Sequence, residues 1–203
     1  VVVVNNTRVF PARLFGAKES GGRIEVMIER LLSDHAVRAF VRASKAPQEG
    51  AVLLMDGGFT LIVKGRYADL FVLESDPAIC ILDMAEAHGH TPLPPYIQRE
   101  DLAQDRERYQ TVFAKNVGAV AAPTAGLHLD ESLISSIRHR GALWCEITLH
   151  IGAGTFNPVR VDELNEHQMH GEWYNIPDDV SNTIVSAKAE GRRIMAIGTT
   201  TMR

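Results

Sequence analysis

The chain is poor in cysteine, in aromatic residues and in long apolar runs. Its 203 residues include two cysteines, and aromatic residues make up 6%. Cys80 and Cys145 do not form the paired spacing of a cysteine-ligated zinc site, and both lie in apolar segments that predict buried, reduced thiols of a cytoplasmic protein. No apolar run approaches the roughly 20 residues of a membrane-spanning helix. We therefore expect a soluble globular protein without a membrane partner.

The ends of the chain lack the usual terminal signals. There is no initiator methionine, and the run Val1–Val4 is too short for a signal peptide and has no basic flank. The chain stops at Arg203, directly after the polar stretch Gly198–Thr201. We therefore expect a piece of a longer protein, with Val1–Val4 as a buried strand.

The net charge of -4 hides an asymmetry between the two parts of the chain. Residues 1–68 hold 10 Lys and Arg against 6 Asp and Glu, a balance of +4, and residues 69–203 hold 11 against 19, a balance of -8. An acidic protein as a whole is a poor binder of polyanions, but a basic first third can meet phosphate locally. A solvated basic surface on a small sheet is the simpler interpretation of the same pattern.

Residues 5–75 have the pattern of short β-strands separated by turns. Glycine, proline and aspartate occur between the apolar runs, as they do in small barrels and sandwiches. Arg38, Arg42 and Lys45 are expected to point to solvent. The predicted strands are Arg8–Phe15, Arg23–Leu32, Ala36–Ala43, Ala51–Met55, Thr60–Tyr67 and Leu70–Glu74.

After Ser75 the pattern changes to alternating helices and strands. A proline-rich extended loop, Gly89–Tyr96, is followed by the order strand, polar loop, capped helix, strand that is typical of α/β domains. Asp130 is expected to cap one helix that Gly141 ends, and Asp178 or Asp179 to cap another that Gly191 ends. The first two predicted helices of this half are Ala78–His88 and Asp101–Ala114. The predicted strands are Ala119–Ala122, Trp144–Ile151 and Arg193–Ile197.

Three loops rich in small residues and threonine follow these strands. They are Thr124–His128, Gly152–Thr155 and Gly198–Thr201. Ligands of open α/β sheets collect at the carboxyl ends of the strands, so we expect the three loops to meet at one ligand-binding edge. The chain has neither the third glycine of a dinucleotide fingerprint nor a Gly-Lys-Ser/Thr phosphate loop.

Three histidines lie in or beside polar segments of this half. His128, His150 and His170 are widely spaced, and without a local pair of histidines a metal site is disfavoured. Acid–base chemistry or hydrogen bonding to a ligand suits them better, because the imidazole pKa lies near neutrality. If Met169–Ile176 is a strand, its period of two places His170, Glu172 and Tyr174 on one side.

Several longer motifs carry a family resemblance. They are Asn5–Gly16, Gly89–Ile97, Tyr109–Phe113, Gly118–His128, His150–Val159, the Met169-His170-x-Glu172 pattern, and Gly198-Thr-Thr200 through Arg203. In this order, and over nearly the whole chain, they resemble the S-adenosylmethionine:tRNA ribosyltransferase-isomerases. One departure is Leu129, where the family usually has phenylalanine.

The resemblance implies an enzyme of queuosine biosynthesis. Such enzymes transfer and isomerise the ribosyl group of S-adenosylmethionine onto 7-aminomethyl-7-deazaguanine at the wobble position of tRNA, which gives epoxyqueuosine and releases adenine and methionine. The implied fold is an α/β sheet domain with an inserted small antiparallel β-barrel. We expect residues 1–75 to be mostly barrel, with the first few in a strand of the α/β domain, and residues 76–203 to be the α/β catalytic domain.

The resemblance also suggests partners and site residues. The expected partners are S-adenosylmethionine, as a cosubstrate, and tRNA with a GUN-type anticodon; no permanent cofactor, no metal and a monomer are expected. Proton transfer is assigned to His128 or His170, with Glu172 adjusting His170. Arg8, Arg13, Arg42 and Lys45 are the expected tRNA contacts. The expected cosubstrate pocket comprises Thr124, Gly126, His150, Gly152, Gly154, Thr155, Gly198, Thr199 and Thr200.

Other functions are compatible with parts of the pattern. A non-catalytic RNA-binding module would explain the basic, strand-rich first third, but it does not need the three polar loops. A metal-dependent hydrolase would use the three histidines, and its activity would be lost with a chelator. A methyltransferase would bind the same cosubstrate, but the expected early glycine-rich nucleotide loop is missing.

Overall fold

The described part of this computed structural model covers residues 1–156 and 171–203. Strands dominate the first third, and helices and strands alternate after it. The strands are β1 (Val2–Asn5), β2 (Thr7–Val9), β3 (Arg13–Lys18), β4 (Arg23–Ser33), β5 (Ala36–Ala43), β6 (Val52–Met55), β7 (Phe59–Tyr67), β8 (Leu70–Glu74), β9 (Asn116–Ala119), β10 (Trp144–His150), β11 (Trp173–Asn175) and β12 (Met195–Ala196). The helices are α1 (Ile81–His88), α2 (Asp105–Arg108), α3 (Glu131–His139), α4 (Asp178–Ala189) and α5 (Thr199–Met202), with 3₁₀ helices at Thr124–His128 and Ala153–Phe156.

A mixed sheet with the strand order β11-β10-β1-β12 joins the two ends of the chain. β10 and β12 run parallel to β1, whereas β11 is antiparallel to β10. The predicted strand at Val1–Val4 is confirmed, and Val2, Val3 and Val4 are buried because β1 lies between two neighbours. The carboxyl ends of β1, β10 and β12 therefore share one edge of the sheet.

A buried asparagine fixes the passage from β1 to β2. The Asn5 side chain donates to the Leu149 carbonyl (2.9 Å) and accepts from the Leu149 amide (3.0 Å), so it bonds like a piece of backbone. Its oxygen also accepts from the amide of Thr7 (3.1 Å). After this point the chain pairs with β9 in a separate parallel two-stranded sheet.

β3 to β8 form a closed six-stranded barrel in the order β3-β4-β5-β8-β7-β6. The alternation of each strand fills its interior with buried aliphatic side chains such as Val26, Ile28 and Leu61. Each such side chain contributes roughly 1.5–3 kcal/mol of burial free energy. Gly16 permits closure, because a Cβ there would lie 2.3 Å from the Leu54 carbonyl oxygen on β6. The prediction of an α/β sheet with a small antiparallel barrel is confirmed, and a sandwich is excluded for this segment.

The predicted single strand Arg8–Phe15 is wrong, because the chain leaves the sheet and enters the barrel within it. β2 ends at Val9 and β3 begins at Arg13. Pro11 lies between them, and its missing amide and fixed φ suit an interruption of the ladder. Phe10 donates to Ala119 of the sheet strand β9, and Ala12 accepts from Ile28 of the barrel.

The predicted helix Asp101–Ala114 is also wrong, since only Asp105–Arg108 is helical. The Asp105 carboxylate accepts from the amide of Leu102 (2.7 Å) and from the Arg99 guanidinium (2.6 and 2.8 Å). Gln110 bonds to both backbone groups of Val9 through its side-chain amide. These side-chain bonds hold the segment in turns, which propensity alone does not reveal.

The two longer helices of the second half follow most of their predicted signals. Asp130 caps α3 by accepting from the amide of Leu133 (2.7 Å), as predicted. The predicted cap of α4 is wrong: Pro177 occupies the cap position, and Asp178 and Asp179 lie in the first turn, where their charges complement the helix dipole. Among the described residues, no helix is long and apolar enough to cross a membrane.

Candidate functional site

A cavity of about 520 Å³ lies where the loops that follow β9, β10 and β12 come together. All three predicted loops contribute to it, which is the convergence expected from the α/β pattern. Small-molecule pockets span roughly 300–1,000 Å³. This strand-end cavity is lined by Pro94, Pro95, Tyr96, Tyr109, Ala121, Ala122, Pro123, Thr124, Ala125, Ile151, Thr155, Phe156, Gly198, Thr199 and Thr200.

The first loop offers Thr124 and Ala125 to the cavity, while Gly126 serves packing. A Cβ at Gly126 would lie 2.9 Å from both Phe113 Cζ and Thr111 Cγ2. The glycine is therefore needed for the loop to rest on these two side chains. Gly126 is predicted to belong to the cosubstrate pocket, but it does not line the cavity.

His128 ends the same 3₁₀ helix and is exposed to solvent. It is not among the residues that line the strand-end cavity. Leu129, which follows it, is half-buried and packs against the cluster of Val2, Val4, Phe113 and Ile134. The exchange of the usual phenylalanine for leucine thus keeps an apolar contact with the core.

The second loop joins the sheet to the barrel. Thr155 and Phe156 line the cavity, whereas Gly152 and Gly154 do not. A Cβ at Gly152 would lie 2.7 Å from Glu29 Oε1, and Glu29 is a barrel residue that is only 4% exposed. Gly152 is therefore needed because a buried carboxylate of β4 packs against this turn.

The third loop begins with a glycine in the left-handed region. Gly198 has a φ of +92°, which side chains other than glycine rarely adopt. A Cβ added to it would lie 3.1 Å from Ala125 Cβ, so the first and third loops are in contact. Thr199 and Thr200 follow directly and line the cavity.

Two tyrosines on the wall are missing from the predicted site. Tyr96 is exposed, whereas Tyr109 is 7% exposed. Burial raises the pKa of the Tyr109 phenol to about 12, and a hydrogen bond from the Ala122 backbone partly offsets this effect. Both lie in segments that carry the family resemblance. Their positions along the chain, however, do not predict that they lie beside loops that begin at residues 124, 152 and 198.

His150 lies in a separate cavity of about 250 Å³ between β4 and the sheet. Its Nδ1 is 2.8 Å from the Thr7 hydroxyl, and its ring stacks on Trp173 with centroids 4.7 Å apart. Burial, and secondarily the charge of Arg30, lowers the pKa of His150, which favours the neutral imidazole. The structure therefore does not bring this predicted pocket residue to the strand-end cavity.

A groove of about 270 Å³ on the outer face of the barrel adjoins the strand-end cavity, because Pro95 and Phe156 line both. Two of the four predicted tRNA contacts, Arg13 and Arg42, belong to it. We call this the barrel groove; its lining comprises Arg13, Glu25, Met27, Phe40, Arg42, Leu93, Pro95, Ala153 and Phe156.

The other predicted residues lie elsewhere. Arg8 and Lys45 are exposed and are outside the barrel groove. Glu172 forms an ion pair with Arg203. His170 lies outside the described residues, so its predicted partnership with Glu172 stays a prediction. Within residues 1–156 and 171–203, no group of three or more His, Cys, Asp or Glu side chains is arranged to hold a metal ion.

Comparison with known proteins identifies the family. The solved structure of an S-adenosylmethionine tRNA ribosyltransferase from Thermotoga maritima is 23% identical in sequence, with a TM-score of 0.38; the match covers 100% of this chain and 53% of that one. The chain thus spans about half the length of that relative. A family model described as queuosine biosynthesis protein matches residues 1–203. Because this match covers the whole chain, the chain belongs to the family of queuosine biosynthesis proteins.

Proposed function

We propose that this chain carries the ribosyl-transfer site of an S-adenosylmethionine-dependent tRNA ribosyltransferase-isomerase. The reaction moves and isomerises the ribosyl group onto 7-aminomethyl-7-deazaguanine at the tRNA wobble position, forms epoxyqueuosine, and releases adenine and methionine. One observation carries the proposal beyond family membership: three strand-end loops line one cavity of about 520 Å³, and a groove with two arginines adjoins it. The proposal includes a monomer that acts in the cytoplasm.

In this proposal the strand-end cavity holds S-adenosylmethionine. The hydroxyls of Thr155, Thr199 and Thr200 supply hydrogen bonds for the polar groups of the ribose and the methionine. Tyr96 and Tyr109 supply aromatic surface for the adenine ring. The remaining predicted pocket residues, Gly126, Gly152, Gly154 and His150, shape the loops from outside the wall.

The chemistry requires a base near the sulfonium. The positive sulfur makes the C5′ protons acidic and methionine a good leaving group, so the first step removes a C5′ proton. The acceptor amine must be neutral to attack, and adenine leaves more easily when it is protonated. Histidine suits these transfers, and we assign them to His170, with Glu172 adjusting it, or to His128, which ends the first loop outside the cavity lining.

Alanine variants of the two histidines separate the alternatives. General acid–base catalysis contributes roughly 10²- to 10⁴-fold, so we expect replacement of the responsible histidine to lower turnover by at least about 100-fold. Near-wild-type turnover in both folded variants would exclude histidine as the base.

The RNA is proposed to approach along the barrel. Residues 1–68 carry a balance of +4, and Arg8, Arg13, Arg42 and Lys45 belong to this part. Reversal of the charges at Arg42 and Lys45 should weaken tRNA binding and flatten its dependence on salt, because fewer counterions are released. An unchanged salt slope would remove this surface from the RNA interface.

The function is tested by tRNA-dependent release of adenine. The complete protein is incubated with S-adenosylmethionine and a tRNA whose wobble base is 7-aminomethyl-7-deazaguanine, and adenine is quantified by chromatography. We expect adenine and modified tRNA in equal amounts, and none with a tRNA that has unmodified guanine at the wobble position. Binding of tRNA without release of adenine would instead indicate a non-catalytic RNA-binding module.

A further inference from the structure

We propose that Glu25 is a specificity-determining residue that reads the acceptor base in the barrel groove. Its carboxylate accepts hydrogen bonds from the N1–H and the 2-amino group of a guanine-type base. This inference rests on the proposed function, and it adds to that function the side chain that selects the base.

The strand register places Glu25 at the centre of the groove. Glu25 of β4 is opposite Phe15 of β3 and Arg42 of β5. Its neighbours along the strand, Ile24 and Val26, are buried inside the barrel, so the carboxylate belongs to the outer face. The side chain is 24% exposed and lines the groove together with Arg13 and Arg42.

The carboxylate retains hydrogen-bonding capacity. Arg13 Nε lies 3.0 Å from Glu25 Oε1, which is ion-pair distance, but the N–H does not point at the oxygen and forms no hydrogen bond with another described residue. An ionised carboxylate has about four acceptor positions on its two oxygens. Two donors of a ligand can therefore reach Glu25 while Arg13 stays beside it.

The charges of the groove favour a nucleobase over a bare phosphate. A phosphate in contact with Glu25 would meet a like charge, whereas a base that donates two adjacent hydrogen bonds would not. Guanine-type bases present such a pair, N1–H and the 2-amino group, on the Watson–Crick edge. Proteins that act on single-stranded or flipped nucleotides read this edge directly. Arg42 remains available for the phosphate of the same strand.

The apolar part of the groove suits the flat faces of the base. Met27, Leu93 and Phe156 line it beside the charged residues. Phe156 and Pro95 also line the strand-end cavity. A base whose Watson–Crick edge meets Glu25 has its five-membered ring at the far end of the base. The 7-aminomethyl group on that ring would then extend towards the cavity that holds the ribosyl donor.

The test removes the 2-amino group from the substrate and the carboxylate from the protein. The kcat/KM of the complete protein is measured with tRNA that carries 7-aminomethyl-7-deazaguanine and with tRNA whose wobble base lacks only the 2-amino group. A good base contact is worth about 10- to 100-fold in discrimination. We expect the wild type to discriminate to this extent and Glu25→Ala to discriminate less than about threefold.

Two controls keep the result interpretable. Glu74→Ala removes a barrel glutamate that pairs with Lys64 at 3.4 Å outside the groove, and it should discriminate like the wild type. If Glu25→Ala does not fold, Glu25→Gln is measured in its place, because the amide keeps the shape of the side chain. The ratio of kcat/KM for the two tRNAs should then fall at least to the square root of the wild-type ratio. The affinity for S-adenosylmethionine alone should be unchanged in each variant.

The inference and the proposed function fail differently. Full discrimination by a folded, active Glu25 variant would overturn the role of Glu25 and leave the transferase intact. No release of adenine by the wild type with either tRNA would instead overturn the proposed function.

Discussion

At the scale of single residues, glycines mark the places where one part of the chain approaches another. Gly118 has a φ of +151°, and a Cβ there would lie 2.5 Å from His150 Nε2. The glycine therefore leaves room for the imidazole between β9 and Trp173, where burial lowers its pKa and favours the neutral form. Its role is one of packing around His150.

Gly118→Ala should be more destabilising than the same change at Gly65. Gly65 has a nearly equal φ of +158° but nothing within 4 Å of an added Cβ, so it isolates the backbone cost. We expect the free energy of unfolding of Gly118→Ala to fall below that of Gly65→Ala by at least about 1 kcal/mol, because the imidazole must move. Urea unfolding measures the difference, and equal values would contradict the contact.

Tyr109 should make stability depend on pH in the alkaline range. Its folded pKa of about 12 exceeds the unfolded value of 10.0, so the folded state holds the proton more tightly. The resulting stabilisation is complete below pH 10 and is lost as the pH rises through 12. Between pH 9 and pH 11.5 we expect the wild type to lose about 2 kcal/mol more than Tyr109→Phe. Parallel curves for the two proteins would show that the phenol is not buried in solution.

Part of the site could be predicted from residue types alone. Thr124, Thr155, Thr199 and Thr200 stand in polar loops after strands, and the structure brings them to one cavity. Gly126 and Gly152 carry the same local signature, but they are glycines because Phe113 and Glu29 approach them from distant segments. A long-range contact leaves no trace in the local sequence. A glycine that lines the cavity therefore cannot be distinguished by sequence from a glycine that packs against a distant segment.

At the scale of elements, the proline-rich loop is held by two carboxylates. Asp101 accepts from His90 Nδ1 (2.8 Å) and from the amide of Thr91 (2.8 Å), and Asp105 binds Arg99. The backbone of His90 also pairs with Arg13 of β3. Pro95 and Leu93 are thereby fixed against the barrel, where they line the groove.

Asp105→Asn should loosen this loop. The hydrogen bonds from Arg99, and next that from Leu102, lower the pKa of Asp105 to about 2, so the ionised form is favoured in the fold. Because the folded pKa is depressed, the stabilisation is present above pH 4 and is lost as the pH falls towards 2. We expect Asp105→Asn to speed proteolysis between residues 90 and 101 at neutral pH and to remove this acid dependence.

Asp83→Asn is the matched control for that variant. Asp83 lies in the first turn of α1, outside the loop. It should leave both the proteolysis of the loop and the acid dependence as in the wild type. If Asp105→Asn leaves the cleavage of the loop unchanged, the ion pair of Asp105 with Arg99 does not hold the loop.

Elements with strong alternation could be predicted closely, whereas those defined by side-chain bonds could not. Ala36–Ala43 and Leu70–Glu74 are strands with the predicted bounds, because period-two burial in the barrel fixes them. The predicted helix from Asp101 is wrong because the side chains of Asp105 and Gln110 form hydrogen bonds with backbone groups outside a helix. The predicted strand Arg193–Ile197 shortens to Met195–Ala196, which lies at the edge of the sheet and pairs with β1 alone among the described strands.

At the scale of the whole molecule, the barrel and the sheet share a core. Val120, which follows β9, and Ala153, which follows β10, pack in the same buried cluster as the barrel residues Leu14 and Ile28. The two strand-end loops are therefore seated on the barrel. This contact explains why the strand-end cavity and the barrel groove meet at Phe156, and it could not be predicted from either half of the sequence.

The central claim is that three loops from distant parts of the chain form one pocket for S-adenosylmethionine. The most direct test measures the dissociation constant of S-adenosylmethionine by calorimetry for the complete wild-type protein and for one variant per loop. The variants are Thr124→Trp, Thr155→Trp and Thr199→Trp. Thr183→Trp on α4, outside the cavity, is the control. Overpacking costs roughly 1–3 kcal/mol, so each of the three should weaken binding by at least about fivefold while the control binds like the wild type. Unchanged affinity in two or more of the three loop variants would contradict the shared pocket.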